Sequence, residues 1–297
     1  MAVKSVNISD VLAEERIYEI DNQINTIGVD IGSRQSKAVL ICNGKIYLAI
    51  TASGVDSQQT AEYLINKLIK TAGISVDDIS WIIGTGYGRV AIDFNDVPSE
   101  IITEITCHGL GAHYLNAGTK TIIDIGGQDC KAIKIDSETG KVIEFIMNDK
   151  CAAGTGRFLE KTAEMLGCPL EELGDWAMKS KKKLEISSQC VVFAESEIIS
   201  LKAQGEKGED IVAGIHFATA RRVKNLVNRI GIEPEIVFSG GVSNNIGMKH
   251  ALEEVLKNPI KTVKMDTVYC GALGASILAQ KMFKEKNNLT KKEVVLQ

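Results

Sequence analysis

Two matched tripeptides, Asp30-Ile31-Gly32 and Asp124-Ile125-Gly126, carry the most chemical content in the sequence, each standing where an apolar run turns back as an alternating one. A glycine at a strand end lets the backbone approach closely and turn successive N–H groups onto an anion. Two such hairpins would grip a polyphosphate from opposite sides. Gly32, Ser33, Arg34 and Gln35 would form the first phosphate turn, and Gly126, Gly127 and Gln128 the second. Asp30 and Asp124 cannot touch phosphate directly, but they can hold Mg2+ through its waters, because this hard cation keeps its hydration and takes one or two carboxylates. Lys37 can reach phosphate as a point charge, and Gln128 or Asp129 is placed to orient an attacking water. An ordinary hairpin turn is the better account of one Asp-x-Gly; two at matching points of a repeat favour phosphate.

A third glycine motif, FSGGVSNN (Phe238–Asn245), follows the apolar run Glu235–Phe238, and its Gly240-Gly241 pair is expected to open a helix running to about Lys257. Such a junction offers bare backbone to a nucleoside and a helix N-terminus to a phosphate. Gly240, Gly241 and Asn244 are therefore candidate nucleotide contacts. Gly271-Ala272-Leu273-Gly274 begins a last small-residue helix able to approach another helix closely, and Gly271 and Ala272 join the candidates. There is no GxxxxGKS and no GxGxxG opening a βαβ unit, which excludes a P-loop enzyme and a dinucleotide fold.

These residues need a scaffold, and the hydrophobic pattern supplies one. Ile24–Asp30 reads as a buried strand, Ser36–Ile41 and Lys45–Thr51 as a meander turning at Asn43-Gly44, and Gln58–Ala72 as an amphipathic helix. A strand at Ile79–Gly84, the turn GTGYGR, a helix over Ser99–Asn116 and a strand at Thr121–Gly126 follow. Laying Gly28–Ile41 over Ile122–Ile135 places Asp30, Ile31, Gly32, Lys37 and Ala38 on Asp124, Ile125, Gly126, Lys131 and Ala132. Together with the repeated element order, this implies a duplicated domain with a cleft where the paired turns meet. The expected division is an N-terminal extension at 1–24, with a helix over Ser9–Tyr18, then lobe I at 25–118 and lobe II at 119–270. A helix at about 271–285 returns to lobe I, and 286–297 form a frayed tail.

Composition bounds the class. The 297 residues, 44% hydrophobic and 24% charged, can bury a large core and suggest two domains. No apolar run approaches the ~20 residues that cross a bilayer, and MAVKSVNISDVLAEERIYEI lacks a signal-peptide core, so a soluble cytoplasmic protein is expected. A net charge of -4 argues against a nucleic-acid partner. The seven cysteines are never spaced as CxxC, which excludes a disulfide framework. Cys42, Cys107, Cys130, Cys168 and Cys270 read as buried hydrophobic thiols. Lys179–Lys183 reads as a solvated basic face or a docking surface, and His108, His113, His216 and His250 show no metal spacing.

The two hairpins and the glycine pair, in this order, resemble the actin-like ATPase superfamily. The implied fold class is α/β, with duplicated ribonuclease H-like domains and ATP or ADP in the inter-lobe cleft. Within that superfamily NDKCAAGTGRFLE (Asn148–Glu160), ISSQCVVFAESEII (Ile186–Ile199), GTGYGR (Gly84–Arg89) and DIGGQD (Asp124–Asp129) resemble the activator, or component A, of 2-hydroxyacyl-CoA dehydratases. That family is similar to the ATPase subunits of benzoyl-CoA reductases, and the resemblance covers about residues 25–283. It implies a homodimer with one [4Fe-4S] cluster between subunits, which uses ATP to deliver a low-potential electron to a partner iron-sulfur dehydratase or reductase. Ferredoxin or flavodoxin is the implied electron donor.

Cys151 and Cys190 are then the cluster ligands, two from each subunit. Cys151 lies just before a helix with the apolar face Phe158, Leu159, Ala163 and Leu166, where free N–H groups stabilise a thiolate. Cys190 follows a polar stretch, as an element emerging at a surface would. A cubane takes four thiolates, and a twofold axis turns two into four. Arg221 and Arg222 precede the adenosine motif at a position where they would border the base. Ser33-Arg34-Gln35-Ser36 departs from the small hydroxyl residues usual in activators, which leaves backbone cradling intact. Two rivals remain on the same fold: a kinase using Asp129 or Asp124 as base, and a cluster-free interaction ATPase.

Overall fold

The computed structural model describes residues 2–94, 97–148, 151–182, 184–186 and 191–295. Its elements run β1 (Lys4–Asn7), α1 (Ile8–Val11), α2 (Glu14–Ile17), β2 (Thr26–Ile31), β3 (Gln35–Cys42), β4 (Lys45–Ala52), α3 (Ser57–Ala72), β5 (Trp81–Thr85), β6 (Ser99–Ile101) and α4 (Glu104–Leu115). They continue through β7 (Thr121–Ile125), β8 (Cys130–Ile135), β9 (Val142–Asn148), α5 (Gly156–Leu166), α6 (Leu173–Met178), α7 (Val191–Ala203), α8 (Gly208–Val227), β10 (Ile236–Ser239), α9 (Ile246–Leu256) and α10 (Cys270–Val295). The first compact unit takes in residues up to Gly118, Asp136–Val142 and everything from Val263; the second takes in Thr119–Ile135 and Ile143–Thr262.

In the first unit a six-stranded sheet runs β1-β4-β3-β2-β5-β6. Strand β2 is buried along its whole length, as expected of a central strand covered on both faces. It pairs antiparallel with β3 and parallel with β5. Asn43 (φ 49°) and Gly44 (φ 72°) make the tight left-handed turn that joins β3 to β4. Helix α3 starts where the Asp56 side chain accepts from the Gln59 N–H at 3.1 Å, and buries Leu64, Ile65, Leu68 and Ile69 against the sheet. Helix α10 lies against β2 and α4 so closely that a Cβ on Gly274 would stand 1.8 Å from the Cys107 carbonyl oxygen, and one on Gly28 2.1 Å from that of Ala272. Alanine at position 274 must therefore push α10 off α4. Gly274→Ala is expected to destabilise this unit by about 3 kcal/mol or more and to lower Tm by several degrees in a thermal melt.

Three expectations about this unit are corrected. Ser99–Ile101 is a strand, not the start of a helix, because its ladder to β5 satisfies the backbone: the Ile82 N–H donates to the Pro98 carbonyl and the Ile102 N–H to that of Gly84, both at 2.9 Å. The helix begins only at Glu104. The N-terminal extension is not one helix. Leu12 and Ala13 are extended between α1 and α2, the Ala13 N–H donates to the Tyr114 carbonyl at 2.8 Å, and β1 adds itself to the sheet edge beside β4. The segment read as a tail continues α10, which runs to Val295.

In the second unit the sheet runs β10-β7-β8-β9. Strand β7 pairs antiparallel with β8 and parallel with β10, repeating the relation of β2 to β3 and β5. Ile123, Ile125, Phe158, Ile211, Ile215, Phe238 and Leu252 form part of its core under α5, α8 and α9. The Glu235–Phe238 run continues as expected into β10, but no helix opens at Gly240-Gly241. Gly240 is left-handed (φ 91°), the Ser243 N–H donates back to its carbonyl, and α9 begins at Ile246, capped by Asn245. Among the described residues no helix is long and apolar enough to cross a membrane.

Candidate functional site

The register of the two hairpins repeats residue for residue. Asp30 lies opposite Lys37 across β2 and β3, and Asp124 lies opposite Lys131 across β7 and β8. All four side chains are buried. In the first hairpin Gly32 and Ser33 are half-buried, Arg34 and Gln35 exposed, and the Ser53 hydroxyl donates to the Gly32 carbonyl at 2.6 Å. In the second, the Gly126 N–H closes the turn onto the Asp129 carbonyl at 2.9 Å, leaving Gly127 half-buried and Gln128 exposed at the tip. Each tip thus presents backbone at a surface with a buried carboxylate and a buried lysine beneath it.

The duplication extends to a fourth strand that the sequence reading treated as two unrelated glycine motifs. Thr85 of β5 stands beside Asp30, and Ser239 of β10 beside Asp124. Each is followed by a left-handed glycine, Gly86 (φ 88°) and Gly240 (φ 91°). A Cβ on Gly86 would lie 2.4 Å from Asp30 Oδ1 and 2.6 Å from the Ile31 carbonyl oxygen; on Gly240 it would lie 2.8 Å from Asp124 Oδ1 and 2.4 Å from the Ile125 carbonyl oxygen. Two residues on, the N–H groups of Gly88 and Val242 donate to those same isoleucine carbonyls at 2.9 and 3.2 Å. The detectable sequence signal was the shared ending of an apolar run in Thr-Gly or Ser-Gly.

Around Asp124 the contacts are specific. Ser239 Oγ donates to Oδ1 at 2.9 Å, and Lys131 Nζ lies 3.1 Å from Oδ2 and 2.9 Å from Asp129 Oδ1. Lys131 and Ser239 thus join the buried polar group around Asp124, and the repeat already sets Lys131 on the position of Lys37. In the first unit Gly271 places α10 beside the carboxylate, since a Cβ there would be 3.1 Å from Asp30 Oδ2; Ala272 is buried next to it. Gly241 and Asn244 are exposed in the loop after β10.

The cysteines separate by environment. Cys42, Cys107, Cys130, Cys168 and Cys270 are buried. Burial pushes the Cys107 thiol up to about 12 and raises those of Cys42, Cys130 and Cys168. Cys151 is only half-buried, and Arg222 Nη1 donates to its sulfur at 3.4 Å. Cys190 lies outside the described residues. The Cys151 loop leads into α5, whose first donors are satisfied by the second hairpin: the Gly156 N–H bonds the Gly126 carbonyl at 2.8 Å and the Arg157 N–H that of Gly127 at 2.9 Å. Arg221 and Arg222, expected near a base, contact the Ile186 carbonyl at 3.5 Å and the Cys151 loop respectively.

The chain is similar to known proteins along most of its length. The 2-hydroxyisocaproyl-CoA dehydratase activator of Clostridioides difficile is 41% identical over 267 residues, covering 90% of this chain and 98% of that one. The (R)-2-hydroxyglutaryl-CoA dehydratase activating ATPase of Acidaminococcus fermentans is 42% identical over 260 residues, covering 87% and 98%. The solved structure of the former activator, with ADPNP bound, matches with a TM-score of 0.82 at 41% identity, over 89% of this chain and 97% of that one. A ROK family glucokinase from Streptomyces griseus matches at 0.54 and 15% identity, over 86% and 99%, which shows the fold alone. The α/β, actin-like ATPase fold class expected from the paired hairpins is the one observed. With the profile of the BadF/BadG/BcrA/BcrD ATPase family matching residues 27–279, the chain belongs to that family of ATPases.

Proposed function

We propose that this protein is an ATP-driven activator that passes a low-potential electron to a 2-hydroxyacyl-CoA dehydratase or a related double-cluster reductase, working in the cytoplasm as a homodimer around one [4Fe-4S] cluster. The observation that carries this reading is the join between the second hairpin and the Cys151 loop. Two backbone hydrogen bonds, from Gly156 to Gly126 and from Arg157 to Gly127, tie the first turn of α5 to the proposed phosphate turn. In this reading a displacement of the hairpin reaches the segment that bears Cys151 through these two bonds.

In this reading Gly32–Gln35 and Gly126–Gln128 hold the phosphates by backbone N–H groups, Lys37 adds positive charge, and Gln128 orients the attacking water. The loop of Gly240, Gly241 and Asn244 receives the nucleoside, while Gly271 and Ala272 fix the wall beside Asp30. Among the described residues no three His, Cys, Asp or Glu side chains group as a metal cage. Asp30 and Asp124 would instead meet Mg2+ through its waters, with phosphate completing the shell. The donor set also suits an iron-sulfur group: Cys151 is a half-buried thiol on a loop, and with Cys190 a second copy brings the thiolates to four. The cluster supplies a one-electron carrier when bound; a ferredoxin or flavodoxin reloads it. ATP would act on the Cys151 loop only by binding one position of the second hairpin more tightly than another.

The test is iron and acid-labile sulfide per protein, with mass in solution, on anaerobically purified protein. The expected result is about four irons and four sulfides per dimer. An iron-free monomer that still hydrolyses ATP would overturn the proposal and redirect the search to phosphorylation of small molecules.

A further inference from the structure

We infer that Arg221, Arg222 and Arg229 build an electropositive pocket whose task is to hold negative charge at the Cys151 sulfur. Ala218, Arg222 and Asn225 follow one another along α8 at helical spacing, so they share one face, and Arg229 follows just beyond the end of the helix. With Arg229, that face lines a cavity of about 520 Å3, whose lining also includes Met147, Asn148, Ala153 and Gly154. Among the described residues no Asp or Glu lines it. None of the three guanidinium groups has a carboxylate partner among the described residues, whereas Lys131, Lys134, Lys182 and Lys261 all do. Arg222 is half-buried and Arg221 and Arg229 are exposed, so three positive groups with no described carboxylate among them give the concavity a positive potential that favours an anion.

The position of that anion is marked by Arg222, whose Nη1 is 3.4 Å from Cys151 Sγ and 3.4 Å from the Ala153 carbonyl oxygen. The carbonyl contact fixes the guanidinium on the loop, so the charge is presented to the sulfur rather than to solvent. The pocket rests on the proposed function for the identity of the anion, the iron-sulfur group carried by Cys151, whose negative charge grows when an electron is added. Arg222 is a positioning residue: it acts on the electron acceptor through the sulfur.

The positive potential that the arginines set at the sulfur can be read without any metal. In metal-free protein Cys151 is alkylated with iodoacetate, an anion, and with iodoacetamide, its neutral counterpart, and the tryptic peptide 151–157 is quantified by mass spectrometry. The same thiolate attacks the CH2 carbon of either reagent and displaces iodide, so a change in sulfur ionisation cancels in their rate ratio. Arg222→Gln is expected to lower the iodoacetate-to-iodoacetamide ratio about threefold. Exposed Arg229→Gln should lower it in the same direction, while Arg222→Lys and Lys224→Gln keep it. An unchanged ratio in Arg222→Gln, or an equal fall in Lys224→Gln, would overturn the inference. In the loaded protein Arg222→Gln should keep its iron and lower the midpoint potential by a tenfold change in the redox equilibrium, about 59 mV for one electron; an unmoved potential is equally decisive against it. Wild type that binds no iron would sink the proposed function, and the metal-free ratio would still decide the pocket.

Discussion

Cys151→Ala is expected to abolish iron binding and electron delivery while leaving the chain folded and able to hydrolyse ATP. The sulfur is half-buried, its described partner is Arg222 at 3.4 Å, and its loop is held by a bond that alanine keeps, from the Asn148 side-chain Nδ2 to the residue-151 carbonyl at 3.1 Å. The stability loss should therefore stay within about 1 kcal/mol, the range of substitutions away from a core. A cubane deprived of one thiolate per subunit has half its protein ligands left from each pair, so iron per dimer should fall from about four to near none, and the dimer with it. Reduction of the partner enzyme should drop by more than about 10³-fold, because no other described thiol is placed to substitute. The contrast is Cys107→Ala or Cys130→Ala, where a buried thiol is lost from the core: these should cost stability and keep iron. If Cys151→Ala retains its iron, the cluster does not sit where it is proposed; if it loses ATPase activity in parallel with iron, hydrolysis depends on the cluster and the separation of the two sites fails.

How much of this was legible in the sequence depended on whether the deciding contact was local. The Asp-Ile-Gly hairpins were, because a strand, a turn and a returning strand leave a period-2 pattern that repeats 94 positions later, from Asp30 to Asp124. Turn chemistry at Asn43-Gly44 was equally local. The equivalence of Gly86 and Gly240 was not, since it lies in what each glycine packs under, the carboxylate and carbonyl of a strand distant in sequence. The same holds for Ser99–Ile101, whose helix-like polarity was overridden by pairing to β5, and for the N-terminal extension, where β1 finds its partner in β4. Arg222 is the sharpest case. Its place on α8 was readable, but its direction toward Cys151, 71 residues away, is a tertiary fact.

Asp124→Asn is expected to lower ATP hydrolysis by about 10²–10³-fold, the size of effect that follows loss of one preorganised charge at a phosphoryl site. The amide has the shape of the carboxylate, and its oxygen can still accept from Ser239 Oγ, now 2.9 Å away. Lys131 keeps Asp129 at 2.9 Å after losing its second carboxylate at 3.1 Å, so the ammonium is not left without a counter-charge. The cost to stability should then be about 1–3 kcal/mol, visible as a lowered Tm but not as unfolding. Lys131→Met is the informative opposite: it leaves Asp124 and Asp129 facing a buried site with no ammonium, and should damage the fold more than the charge-removing amide does. Nucleotide binding separates the two roles of the carboxylate. If Asp124 works by holding Mg2+ through water, ADP affinity measured in EDTA should match wild type, while the gain in affinity on adding Mg2+ disappears. Hydrolysis within about threefold of wild type would remove Asp124 from the site, and would leave Asp30 of the first hairpin as the carboxylate to test next.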